Sequence, residues 1–167
     1  MKRSIIVAGA GTLALAGGLL AAPAAHAEER VCRGTLGAIT VDNLRVPAGA
    51  SCTLLRTTVK GTVKVERNAR LATSLARIVG NVQAEGHAHV GLSSSTIGGS
   101  VQLKQGGTAS LRSNSVKGDV QSFTNRGAQY INTNRINGNL QCKSNVPAPT
   151  GSGNIVGGNK EDQCRRL

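Results

Sequence analysis

Val59-Lys60-Gly61-Thr62-Val63-Lys64 runs as a branched apolar residue, a spacer, glycine, a small polar residue, a second apolar residue and a polar one. The chain writes it again as Ile78-Val79-Gly80-Asn81-Val82-Gln83, Ile97-Gly98-Gly99-Ser100-Val101-Gln102 and Val116-Lys117-Gly118-Asp119-Val120-Gln121. Two more copies follow, Ile136-Asn137-Gly138-Asn139-Leu140-Gln141 and a decayed Ile155-Val156-Gly157-Gly158-Asn159-Lys160. The copies begin at 59, 78, 97, 116, 136 and 155, a step of 19 residues with a single step of 20. A degraded earlier copy, Thr40 to Val46, puts Leu44 and Val46 in the apolar slots.

Side chains alternate across a strand, so the slots two before, two after and four after the glycine share an inward face. They hold residues such as Ile97, Val101 and Leu103, while Lys64, Gln83, Gln102, Gln121 and Gln141 fall between them and must point out. A second apolar stretch keeps constant phase, with Leu54, Thr73, Leu92, Leu111 and Ile131 each seven residues before a repeat glycine. The glycine itself marks a place where the backbone is crowded or sharply turned. Helix-pair repeats need about 30 residues or more, and leucine-rich repeats about 20–29 with their own spacing. The expectation is an all-β chain, a small parallel β-helix of six to seven coils with about 19 residues per coil. At ~4.8 Å per coil the rod is about 30 Å long. A β-sandwich is the structural alternative, because even strand spacing is also its signature.

Outward from the repeats, residues 1–27 carry a basic start, an apolar run and the small-x-small pattern Ala25-His26-Ala27, the marks of a cleaved signal peptide. Residues 28–58 then form an N-terminal cap and first degraded coil, 59–160 the solenoid repeats, and 161–167 a C-terminal cap and tail. Export implies a secreted, oxidising setting, with no membrane attachment after cleavage.

The four cysteines, Cys32, Cys52, Cys142 and Cys164, lie 20 and 22 residues apart within the two nearest pairs. Each separation is close to one coil, which brings Cα atoms near the roughly 5.5–6 Å a disulfide prefers. Pairing of Cys32 with Cys52 and of Cys142 with Cys164 is therefore expected, one bridge at each end of the rod. No Cys-x-x-Cys pair exists to hold zinc.

The chain of 167 residues carries 20 Lys+Arg against 8 Asp+Glu, a net charge of +12. Residues 28–78 and 79–167 each contribute +5, so neither end is a basic patch. Such a charge attracts anionic polymers of the cell wall. Specific nucleic-acid recognition is not expected, because the only aromatics are Phe123 and Tyr130 and bases need stacking platforms. Glu85, His87 and His89 alternate and form the sole candidate metal cluster, though no third strong ligand in phase accompanies the histidines. Neither histidine has a motif-placed Ser or Cys partner, and the acids do not gather into one column. No catalytic residues and no cofactor are expected. The column Lys64, Gln83, Gln102, Gln121 and Gln141 is the candidate binding face, with stacking of the amides along the rod as its structural role.

The stretch from Gly138-Asn139-Leu140-Gln141-Cys142-Lys143 to Lys160-Glu161-Asp162-Gln163-Cys164 resembles a group of small secreted actinobacterial proteins with Gly-x-Val-Gln repeats and a closing Lys-Glu-Asp-Gln-Cys. That resemblance implies a secreted setting and no active site. The repeats also look distantly like the polymer-forming bactofilins, which are not exported disulfide proteins. The expectation is a secreted, monomeric solenoid with a structural or surface-interaction role. The alternatives are a binding module for anionic envelope polymers and, more distantly, a polysaccharide-active enzyme.

Overall fold

The computed structural model describes residues 28–167 as a three-sided parallel β-solenoid without a helix. Residues 1–27, expected from the sequence to be a signal peptide, lie outside the described residues. The first sheet stacks eight strands: Glu29–Val31, Asn43–Val46, Val63–Val65, Val82–Glu85, Val101–Lys104, Val120–Phe123, Leu140–Lys143 and Lys160–Asp162. The second stacks six, Gly34–Leu36, Ser51–Leu55, Arg70–Ser74, His89–Ser93, Thr108–Arg112 and Gln129–Asn132. The third stacks seven two-residue strands, Thr40–Val41, Thr58–Val59, Arg77–Ile78, Thr96–Ile97, Ser115–Val116, Arg135–Ile136 and Ile155–Val156.

Register follows the repeat. Val63, Val82, Val101, Val120 and Leu140 form one inward column of the first sheet, and Val59, Ile78, Ile97, Val116 and Ile136 one of the third. All ten are buried. Each fully buried aliphatic side chain contributes about 1.5–3 kcal/mol, and it does so only through the coils above and below. Regular coiling begins earlier than the repeats suggest, since Glu29, Arg30 and Val31 already pair in register with Asn43, Leu44 and Arg45. That first coil advances only 14 residues in the first sheet, against 19 from Leu44 to Val63, which hides it from a periodicity search.

The repeat glycine stands at the corner between the third and first sheets, and the backbone there is crowded. A Cβ at Gly80 would lie 2.6 Å from the Gly61 carbonyl oxygen, and one at Gly138 2.8 Å from that of Gly118. Beside this corner a side-chain chain runs along the rod. Asn81 Oδ1 accepts from the Ser100 N–H, Ser100 Oγ from the Asp119 N–H, Asp119 Oδ1 from that of Asn139, and Asn139 Oδ1 from that of Asn159.

The other two corners turn inward on buried amides. Between the second and third sheets, Arg56, Leu75, Ser94, Ser113 and Thr133 all take φ of 48–56°, and Gly153 continues the column. Ser152 does not, although its sequence position suggests that it should. The next residue of each coil points inside. The Asn134 carboxamide accepts from the Asn114 N–H at 3.0 Å and donates to the Leu111 carbonyl at 2.9 Å, and Asn154 repeats the pattern one coil on. Between the first and second sheets Asn125, Asn145 and Gln163 form an equivalent ladder. Both disulfides are present: Cys32–Cys52 with Cα atoms 5.6 Å apart and Cys142–Cys164 at 5.2 Å.

Candidate functional surface

The column expected to point outward does so. Lys64, Gln83, Gln102, Gln121 and Gln141 are strand neighbours in register. At its C-terminal end the column is a hydrogen-bonded ladder, with Gln121 Nε2 donating to Gln141 Oε1 at 3.0 Å and Gln141 Nε2 to Glu161 at 2.9 Å. Toward the N-terminal end, Lys64, Gln83 and Gln102 line a shallow depression of about 780 Å³ shared with Glu66, Glu85 and Lys104. Its charges are mixed and partly spent on one another. Arg45 spans Glu29 at 2.7 Å and Glu66 at 3.2 Å. The Ala48 N–H and then Arg45 hold the Glu66 carboxyl below the usual carboxylate range.

The candidate metal cluster does not assemble. Glu85 ends a first-sheet strand and faces solvent, His87 turns into the core at the next corner, and His89 opens a strand of the second sheet. Alternation places three residues on one face only within a straight strand, and the corner between Glu85 and His89 breaks the phase. His89 Nδ1 lies 2.7 Å from Thr108 Oγ1. Both ring nitrogens of buried His87 lack a hydrogen-bond partner. Burial pushes its pKa down to about 4; the nearby Ala84 backbone opposes that shift, and the charge of His89 adds to it.

Charge is even along the rod but not around it. The segments that make the second sheet, the corner after it, the third sheet and the residue that follows it are 34–42, 51–60, 70–79, 89–98, 108–117, 129–137 and 150–157. They contain seven Lys or Arg and a single acid, Asp42, which is the register neighbour and ion partner of Lys60. Among residues 28–167, the other seven acids lie on the first sheet, its approaches and its flanking corners. Counting charge along the chain conceals this segregation. Counting it by position within the 19-residue coil reveals it, so the signal is present in the sequence once the three faces are assigned.

No family model matches the chain, and neither a curated protein nor a solved structure matches it.

Proposed function

We propose that the protein is a secreted, non-enzymatic rod that acts through its outer surface. The observation that carries this reading is the side-chain ladder found at every corner over the C-terminal coils of the rod. The interior Asn and Gln amides join coil to coil, so they hold the outward side chains at fixed intervals along the axis. A disulfide at each end suits an oxidising, extracellular setting. Such a body presents a fixed pattern of side chains to a partner larger than itself.

The unequal distribution of charge favours a second, narrower reading, a binding module for anionic polymers of the cell envelope. Incubation of the oxidised, N-terminally processed protein with purified cell envelope tests both. Saturable retention that salt weakens is the expected result. Release of soluble fragments from the envelope would instead make the protein an enzyme.

A further inference from the structure

Six of the seven cations on the side of the second and third sheets lie on the third sheet or beside its two corners: Arg56, Lys60, Arg77, Arg112, Lys117 and Arg135. All six are exposed. Only Lys60 has an acidic partner among the described residues, Asp42 at 3.1 Å. They fall into two bands. Arg77, Thr96, Ser115 and Arg135 are consecutive partners in one outward column, so the two arginines stand three coils apart. Lys60 and Lys117, each two residues before a corner residue (Thr62 and Asp119), are separated by the same three coils. Arg56 at the neighbouring corner and Arg112 just before it fall in the same two bands. At ~4.8 Å per coil the bands are about 14 Å apart along the axis.

Between the bands lies the coil 89–98, whose outward residues on this side are small: Ser93, Ser94, Thr96 and Gly98. Thus a continuous low track joins the two bands and runs parallel to the rod. Four of the six cations are arginines, whose guanidinium forks match the paired oxygens of phosphate. Nucleic-acid bases need aromatic stacking platforms beside the charges. The one aromatic on this side is Tyr130, on the second sheet and away from the track. A slender polymer with phosphate in its backbone needs no such platform.

We infer that this side of the rod binds a linear polyol phosphodiester of the cell envelope, laid lengthwise across both cationic bands. The inference rests on the surface-interaction reading above and names the partner and the face. The one acid beside these cations, Asp42, is neutralised by Lys60 at the N-terminal end of its column. The scarcity of carboxylates matters because an acid beside the track would repel each phosphate that passes it.

Titration of the oxidised protein with poly(glycerol phosphate) tests the assignment, with polygalacturonate and single-stranded DNA as the competing polymers. Binding should weaken at least ~100-fold between 50 and 200 mM salt if about six phosphates are engaged. The pair Arg77→Gln with Arg135→Gln should weaken it at least ~10-fold. The pair Lys104→Gln with Lys143→Gln removes the same charge from the first sheet and should change it less than ~3-fold. All four positions are exposed, and unchanged melting temperatures verify the fold. Equal losses from the two pairs would overturn the assigned face, and tighter binding of either competitor would overturn the assigned partner. Saturable binding to whole envelope without binding to poly(glycerol phosphate) would overturn the inference and leave the proposed function standing. Binding to neither would overturn both.

Discussion

The imidazole of His87 lies directly against Gly106 of the next coil: a Cβ at 106 would stand 2.7 Å from the ring Cγ and closer still to Nδ1 and Cε1. His87 and Gly106 occupy the column that Asn125, Asn145 and Gln163 continue as a hydrogen-bonded ladder. A large ring in one coil thus needs an empty position in the next. Gly106→Ala should destabilise the protein by about 1–3 kcal/mol through overpacking. In a His87→Ala background the same change should be nearly neutral, because the ring is gone. A double-mutant cycle from denaturant melts measures this coupling, and an equal penalty in both backgrounds would refute it.

The same ring makes stability depend on pH. Folded His87 has a pKa of about 4, against an ordinary value of 6.5. The unfolded chain therefore takes up this proton first as pH falls. Stability from neutral His87 is complete above pH 6.5, declines below it, and has fallen by about 3 kcal/mol once pH passes the folded pKa. The Glu66 carboxyl is also shifted downward, but its contribution persists above its ordinary 4.5 and is lost only below that value. Urea melts at pH 7 and pH 5 should differ in the wild type, and His87→Leu should remove most of that difference. A pH dependence unchanged by His87→Leu would exclude the histidine as its source.

Inward and outward positions on the first sheet separate sharply. Val82 and Val101 are wholly buried, while Gln83, next to Val82, is exposed. Val82→Asp or Val101→Asp would bury an unpaired charge and should cost about 4 kcal/mol or more, enough to prevent folding. Gln83→Lys should shift stability by less than about 0.5 kcal/mol. Circular dichroism melts rank the three, and the reverse order would invert the assignment of the faces.

What the sequence discloses, and what it hides, follows from which contacts are periodic. Val101, Leu103 and Gln102 repeat in register from coil to coil, so the parallel solenoid and its outward column are legible from spacing alone. The disulfide partners are legible for the same reason, because 20 and 22 residues are nearly one coil. Corners are harder. Two residues before the repeat glycine lies the third sheet, and two after it the first, yet a simple alternation treats both as one strand. Glu85, His87 and His89 look coplanar under the same simplification, and the corner between them sends His87 inside. Asn114 and Asn134 are polar residues that spacing alone does not place inside, yet a left-handed residue just before each directs it into the core.

The buried amides are the next test. Asn134 Oδ1 takes both the backbone N–H and the carboxamide of Asn114, while its Nδ2 reaches the Leu111 carbonyl and Asn154. Asn134→Ala leaves the Asn114 N–H unpaired inside the rod and takes a hydrogen bond each from the Asn114 carboxamide, the Leu111 carbonyl and Asn154. At about 1–3 kcal/mol for the stranded N–H, with the lost side-chain bonds added, the total should exceed about 2 kcal/mol. Hydrogen exchange should accelerate at the Asn114 amide well before the rest of the sheet. Protection there equal to that of the wild type would show that the ladder is not what holds the corner.

The two ends of the rod differ in how they stop. At the C-terminal end, Lys160–Asp162 pairs with Leu140, Gln141 and Cys142, and the chain then turns back so that Cys164 and Leu167 close over the core. Lys160 stands in the inward column below Leu140, and at the opposite end Arg30 stands in that same column beside Leu44. Head-to-tail stacking of two copies would bring these like charges together, a recognised means of blunting an open sheet edge. The oxidised protein should therefore be monomeric at micromolar concentration. Replacing Cys142 and Cys164 by Ser releases the last coil and should uncover the strand Leu140–Lys143, whose inward residues are apolar or neutral and carry no such charge. End-to-end association should follow, and light scattering on the two forms measures it. Filaments from the oxidised wild type would refute capping and make the rod a polymer subunit, whereas a monomeric double mutant would place the protection in the charges of the end coils and not in the disulfide.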